Sequence, residues 1–343
     1  RTLQRLSNKT SCGPDNIPIV FFKQCALQLS VPLALLFRRC LDEGTMPSLW
    51  RHSVVIPIFK KKGAKSNPAN YRPVSLTCAL CRILERHIAF TLRHHLEVFG
   101  LLSEDQFGYR PRRSTDFNLL ATTNDWTRAL DSGKSVAAVY LDMKTAYDPI
   151  PHDRVLARLR NCGLGGKLLR WIANFLADRT REVKVGEARS DSVSCTTGAP
   201  QGTVLAPLLW NVFYDKLADV IRHATIKRYA DDAKLYMAVE TPEDLALLQS
   251  DVDAAVAWCK GNAITISAGK TELLLLGKHF THWRPSLRVD GQDIRPSDNV
   301  RDLGVRIDGA LSFVQHARDV ARKASNVARA VWRAFSNRDP EFY

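Results

Sequence analysis

Two aspartates, Asp231 and Asp232, stand side by side in "RYADDAKLY", residues 228–236, between two strand-like stretches. Like charges that close repel each other, so the pairing asks for a reason. Asp tolerates turn geometry and is common at hairpin tips, which alone could place both. The alternative is a strongly cationic species held against them. A third carboxylate, Asp142, ends the apolar stretch "SVAAVYLDM". If the two strands are neighbours, Asp142 and Asp231 converge on one edge of a sheet. Such a cluster suits Mg²⁺, a hard cation that takes carboxylates together with substrate phosphates. Two ions about 3.5–4 Å apart would clamp the attacking and leaving oxygens of a phosphoryl displacement.

The elements that must position these groups can be read from periodicity. "SVAAVYLDM" is apolar on both faces, as a strand buried between two layers is. "TIKRYADDAKLYMAV" places two short strands around Ala230, Asp231 and Asp232, and "REVKVGEARSDSVSC" predicts a second hairpin around its glycine. "RHSVVIPIF" alternates like a strand before a Lys-rich, Pro-broken loop. Helical spacing marks "LTCALCRILERHIAFTLRHHLE", "HDRVLARLRNCG", "KLLRWIANFLADR" and the mostly apolar "TVLAPLLWNVFYDKLADVI". In "TPEDLALLQSDVDAAVAWC", Thr241 is a candidate N-cap, Pro242 takes the first helical position and Asp244 follows three residues after the cap. Leu245, Leu248, Val252 and Val256 then line one face. The whole is an α+β arrangement around a central sheet.

The predicted last helix, residues 316–335, carries Arg318, Arg322, Arg329 and Arg333 within about 60° of one another. Val320, Ala324, Val327 and Val331 lie opposite. A stripe without acids is unusual for an idle surface, so this helix is expected to pack by its apolar face and to track phosphates by the other.

The totals agree with a polyanionic partner. Among 343 residues, 49 Lys and Arg against 35 Asp and Glu leave a net charge of +14. The length allows a sizeable core and two or three subdomains. A membrane span is not expected: the longest uncharged stretch, residues 192–214, is broken by two Gly and two Pro. Of eight cysteines only Cys78 and Cys81 form a C-x-x-C, with no second pair at zinc spacing, so reduced thiols in the nucleus or cytoplasm are expected. The chain begins at Arg1 without Met or secretory signal, like an excised piece.

"YADD" at 229–232, "LDMKTAYD" at 141–148 and "GAPQGTVLAPLLWN" at 198–211 resemble reverse transcriptases, and more narrowly the polymerase region of non-LTR, jockey-like retrotransposons. "GPDNIP" (13–18), "NYRPVSL" (70–76), "QFGYR" (106–110), "KTELLLLG" (270–277) and "DLGV" (302–305) extend the likeness in order. The resemblance implies a right-hand polymerase fold: fingers over 1–135 with an N-terminal extension, palm over 136–310 with the segment 153–195 packing toward the fingers, and a truncated thumb over 311–343.

It also implies an RNA-directed DNA polymerase that extends a primer 3′-end with dNTPs on an RNA template, using two Mg²⁺ ions for which Mn²⁺ could substitute. Asp142 and Asp231 match the metal ligands, and Asp232 is the accompanying carboxylate. Lys270 matches a lysine proposed to protonate departing pyrophosphate. Arg72 and one of Lys60 to Lys62 match residues that grip the triphosphate, and a planar guanidinium suits phosphate oxygens. Tyr147 matches the aromatic position that excludes a 2′-hydroxyl. Pro200, Gln201 and Gly202 match the loop under the templating pair. Arg110 matches either a template contact or a pin for its own loop, and the Gly304 turn resembles a primer-gripping hairpin. Asp148, past the strand end, is expected to hold the next helix with His152 and Asp153. A maturase- or telomerase-like reverse transcriptase fits "YADD" as well, though "GPDNIP" and "NYRPVSL" favour the retrotransposon type. A decayed copy that only binds nucleic acid is disfavoured, because the three aspartates, Gln201 and Lys270 all stand. Endonuclease, zinc-knuckle and RNase H functions are not expected of this piece, and its oligomeric state is left open.

Overall fold

Alternation of apolar and polar residues, turn glycines and helical stripes resolve into two larger sheets and two small hairpins, with helices between and around them. The structure, a computed structural model, describes residues 2–8, 10, 12–143 and 150–334. Helices α1 (Ile19–Gln24) and α2 (Ala26–Glu43) lead into strands β1 (His52–Phe59) and β2 (Tyr71–Leu76), followed by α3 (Ala79–Val98) and α4 (Thr115–Asp131). Strand β3 (Ser135–Leu141), α5 (His152–Asn161), α6 (Gly166–Leu176) and the short strands β4 (Arg179–Val185), β5 (Ala188–Arg189) and β6 (Val193–Cys195) come next. Then follow α7 (Ala206–Tyr214), β7 (Thr225–Tyr229), β8 (Asp232–Val239) and α8 (Pro242–Gly261). Strand β9 (Glu272–Leu276), two small hairpins, β10 (Leu287–Val289) with β11 (Gln292–Ile294) and β12 (Asn299–Asp302) with β13 (Val305–Asp308), and α9 (Val314–Ala334) complete the chain.

The central sheet has the order β7-β8-β3-β9, every pair antiparallel. Its faces are covered by different layers, which is why β3 is apolar throughout. Ala137, Val139 and Leu141 face the core that contains α3, α5, α6, α7 and α8, whereas Val136 and Ala138 meet Trp126 of α4 and Val300 and Ile307 of the β12–β13 hairpin. The other sheet, β2-β1-β4-β5 with β6 on β4, takes the segment after α6 into partnership with β1, in parallel. The predicted cap of α8 forms: Asp244 N donates to Thr241 Oγ1 at 3.3 Å and Thr241 N donates back to Asp244 Oδ2 at 3.0 Å. Leu245, Leu248, Val252 and Val256 are buried as expected.

The helix expected from "TVLAPLLWNVFYDKLADVI" ends sooner, at Tyr214, and continues as a 3₁₀ turn over Asp215–Val220. Asp215 is drawn inward there: its carboxylate accepts from Ser103 N (2.8 Å), Ser103 Oγ (2.7 Å) and Arg158 (3.0 Å). The larger difference lies in α9. Val320, Val327 and Val331 are exposed, so among the described residues the apolar face is not packed against the rest of the fold. Nor is the arginine stripe free of acid, since Asp319 accepts from Arg322 at 2.8 Å and pairs with Arg306 at 3.2 Å.

One buried charge ties the elements around the central sheet together. Arg228 on β7 is wholly buried; it donates to Asp105 at 2.6 Å, to Ser103 Oγ at 2.6 Å and to the Tyr214 carbonyl, with Asp215 3.7 Å away. Removing one partner of such a network leaves the others desolvated and unbalanced. Arg228→Met is therefore expected to destabilise the protein by roughly 3–5 kcal/mol, measured by urea unfolding; a change below about 1 kcal/mol would count against this role.

Candidate active site

The antiparallel register pairs Leu141 with Ala233, so the residues that follow at the strand ends, Asp142 and Asp232, are neighbours. Asp231 sits in the two-residue turn joining β7 to β8, beside Asp232. The carboxylates gather at one end of the sheet, as the sequence leads one to expect.

Their electrostatics follow from the crowding. Burial pushes the Asp231 carboxyl above its ordinary range, the Asp142 charge adds to this, and Arg72 pulls back. Asp232 is pushed up to about 6, by desolvation of its carboxyl among the neighbouring groups and then by Asp231, Asp302 and Asp142, although the residue as a whole is exposed. Asp142 Oδ2 is buried and makes no hydrogen bond; its nearest cation is Lys270 Nζ at 3.7 Å. Behind it, the Asp142 carbonyl accepts from Ser267 N at 2.7 Å, which closes the 266–270 segment over the strand end.

An orphaned buried carboxylate oxygen beside two carboxyls that hold their protons abnormally well is a donor set that a divalent cation would satisfy. Among the described residues no three His, Cys, Asp or Glu form a ready-made cage.

The turn that carries Asp231 is strained and held from behind. Ala230 has φ 58°, in the left-handed region, which costs a residue with a Cβ about 1–2 kcal/mol. Gln106, almost fully buried, accepts from Ala230 N (3.0 Å) and Gly108 N (2.8 Å) and donates to Ala230 O (3.2 Å). Trp210 Nε1 of α7 donates to the same carbonyl at 3.1 Å, and Asn211 Nδ2 donates to Gly108 O at 2.7 Å. Gly108 must be glycine, because a Cβ there would lie 2.2 Å from Ala230 N. Gln106, Trp210 and Asn211 are not among the residues singled out from the sequence; the signal for them is their place within "QFGYR" and "PLLWN", two blocks that meet only in space.

The residues expected on the nucleotide side divide. Gln201 O accepts from Ser75 N at 2.7 Å, fixing its loop along β2, and Gly202 at φ 113° has Ser75 O where a Cβ would go, 2.9 Å away. His152 bonds the Gly198 carbonyl at 2.8 Å, supporting the loop's other end. At the start of α7, buried Glu85 accepts from Val204 N (2.7 Å) and Leu205 N (3.1 Å). Arg72 is exposed on β2 and close enough for its charge to act on Asp231. Lys60, by contrast, bends onto its own loop and donates to Ala69 O at 3.0 Å; Lys61 and Lys62 are exposed there. Tyr147 and Asp148 lie outside the described residues.

Arg110 takes the second of its two expected roles. Its side chain is buried, donates to Glu97 through Nε (2.9 Å) and Nη2 (2.7 Å) and reaches Ser103 O at 2.6 Å. A guanidinium so engaged pins the loop and has no face left for a template. Gly304, with Leu303, forms a two-residue turn of positive φ between β12 and β13, the conformation that suits a tight hairpin. Asp302 at its base binds the buried Lys234 and accepts from Tyr140 at 3.2 Å, so the hairpin is anchored to β8. Between hairpin and carboxylates runs a cleft of about 120 Å³ lined by Asp142, Asp232, Lys227, Lys270, Arg301 and Leu303. The four arginines of α9 lie along an exposed helix outside this cleft.

A solved structure of apo telomerase from Candida tropicalis aligns with 87% of this chain and 60% of its own, with a TM-score of 0.53 and 10% identity. The fold is thus a right-hand polymerase fold. Residues 59–307 match the family described as "Reverse transcriptase (RNA-dependent DNA polymerase)", and the chain belongs to that family, whose members generally use divalent metal ions. It is similar to "Probable RNA-directed DNA polymerase from transposon BS" of Drosophila melanogaster, 28% identical over 94% of this chain and 36% of the relative. It is equally similar, at 28% over 93% and 35%, to "RNA-directed DNA polymerase from mobile element jockey" of the same organism. The chain spans about a third of the length of these curated relatives. Among the described residues no helix is long and apolar enough to cross a membrane.

A carboxyl with a raised folded-state pKa ionises only at the expense of the fold. The cost is present above about pH 6 and disappears as pH falls below the ordinary carboxylate range. In metal-free buffer, Asp232→Asn is expected to melt at a higher temperature than the parent at pH 7.5, with the gap closing by pH 4, as followed by circular dichroism.

Proposed function

We propose that this chain is the polymerase domain of a non-LTR retrotransposon reverse transcriptase, extending a primer 3′-end with dNTPs on an RNA template. The observation that carries the reading is the convergence of Asp142, Asp231 and Asp232 at one sheet end, where among the described residues a buried Asp142 oxygen accepts no hydrogen bond and has only the Lys270 ammonium 3.7 Å away. Residues 1–135 act as fingers, 136–310 as palm, and the segment from 311 begins a thumb.

Asp142 and Asp231 would hold two Mg²⁺ ions, with Asp232 as the supporting charge. Bound there, the ions supply a lowered pKa at the primer 3′-hydroxyl and neutralisation of the triphosphate. The 3′-oxygen forms a bond to the α-phosphorus as the bond to pyrophosphate breaks. Arg72 orients the triphosphate, and Lys270, an exposed ammonium 3.7 Å from Asp142, gives a proton to the departing pyrophosphate. The loop at Pro200, Gln201 and Gly202 supports the templating pair, and the hairpin at Gly304 bears on the primer. Arg318, Arg322, Arg329 and Arg333 contact duplex phosphates.

With an oligonucleotide-primed RNA template, dNTPs and Mg²⁺, the parent is expected to extend the primer. Asp231→Asn is expected to lose about 10³-fold or more of that rate. No extension by the parent would leave a nucleic-acid-binding copy as the reading, and full activity of Asp231→Asn would displace the site.

Replacing the four α9 arginines by Ala is expected to weaken primer–template binding and to reduce the slope of log K against log salt by about one for each phosphate no longer neutralised. A filter-binding titration at several salt concentrations reads both; an unchanged slope would remove α9 from the interface.

A further inference from the structure

The peptide between Ala230 and Asp231 sets the direction of the Asp231 side chain, and its stiffness comes from groups that no substrate reaches. We propose that Gln106 is a positioning residue for nucleotide addition: its carboxamide holds Ala230 in the left-handed conformation and so aims Asp231. This rests on the polymerase reading above.

Three features of the geometry carry it. A single side chain bonds Ala230 on both sides, accepting from its N–H and donating to its carbonyl. That carbonyl belongs to the peptide leading into Asp231 and accepts a second bond, from Trp210, so the peptide plane cannot turn without losing two donors. The groove behind the turn also has no slack, since Gly108 approaches Ala230 too closely for any Cβ and its own N–H is bonded to the same Gln106 oxygen.

The chemistry of the clamp narrows it to a carboxamide. Ionised glutamate offers acceptors alone, methionine offers no donor and only a weak acceptor, and Gln carries both without charge. A carboxylate at this depth would add a negative charge behind a turn that already carries Asp231 and Asp232. The φ of 58° is ordinary for glycine and strained for alanine, so the turn as built depends on its clamp. Gln106 itself is 1% exposed and lies behind the turn, which separates it from residues that touch primer, template or nucleotide.

The test uses the full chain with primed RNA template, one dNTP and Mg²⁺, under single-turnover conditions. Gln106→Met is expected to slow the first addition by about 10- to 100-fold, the scale of a misplaced reacting group. Its KM for primer–template should stay within about twofold of the parent. Gln106→Met/Ala230→Gly is expected to recover at least about threefold of the lost rate, because glycine adopts the same φ without help. A residue that merely filled space would give no such recovery.

The proposal is overturned if Gln106→Met adds nucleotide at the parent's rate, or if KM rises with the rate unchanged. It is also overturned if both variants lose activity in proportion to lost secondary structure by circular dichroism. A parent as inactive as Asp231→Asn would instead overturn the polymerase reading, and this inference with it.

Discussion

Three carboxylates crowded at the end of one sheet repel one another, and much of the surrounding structure can be understood as what keeps them there. Two of them stand where adjacent antiparallel strands end, so the ladder between β3 and β8 opposes their separation. The third rides on a turn too tight to be relaxed. Among the described residues, counter-charges near them include Lys270 beside Asp142, Arg72 near Asp231 and Lys234 near Asp232, and none of these donates a hydrogen bond to the buried Asp142 oxygen. The fold therefore stores electrostatic tension that a divalent cation and a substrate phosphate would relieve together.

Helix α7 links the two halves of the site. Its start is fixed by the buried Glu85, just after the loop that carries Gln201 and Gly202. Its body reaches the strained turn through Trp210 and braces Gly108 through Asn211. An almost wholly buried helix between these points behaves as a strut, so the distance from the Gln201 and Gly202 loop to the carboxylates is set by packed secondary structure. The Arg228 network does the same for β7, joining it to Ser103, Asp105 and Asp215. Buried charge is costly unless fully partnered, and here the partners come from two separate segments of the chain.

Much of this was legible in the residues because the signals were local. Strand β3 showed its burial as an apolar run, α8 showed its cap as Thr241 and Asp244 three positions apart, and the β4–β5 and β7–β8 hairpins announced themselves by alternation around a turn, whereas β10–β11 gave no such signal. What stayed hidden depended on distance in the chain. Nothing near Arg110 says that its fork meets Glu97, so a template contact and a loop pin were equally readable. Gln106 and Ala230 are separated by more than a hundred residues, and it is the pairing of residues 105–107 with Arg228 and the close approach of Gly108 that bring them into register. The valines of α9 have the spacing of a packing face, yet spacing specifies a face and not a partner. The roles of Tyr147 and Asp148 fall in the segment outside the described residues.

If the chain polymerises as proposed, the support behind the Ala230 turn bears on how such a domain would lose competence. Substitutions at Gln106, Gly108, Trp210 or Asn211 would slow it while all three aspartates remain intact. Intact acidic residues would then be a necessary sign of a working copy and a poor sufficient one. The buttress would be a second checkpoint, spread over two distant blocks of the chain, at which damaging mutations escape an inspection confined to the acidic side chains.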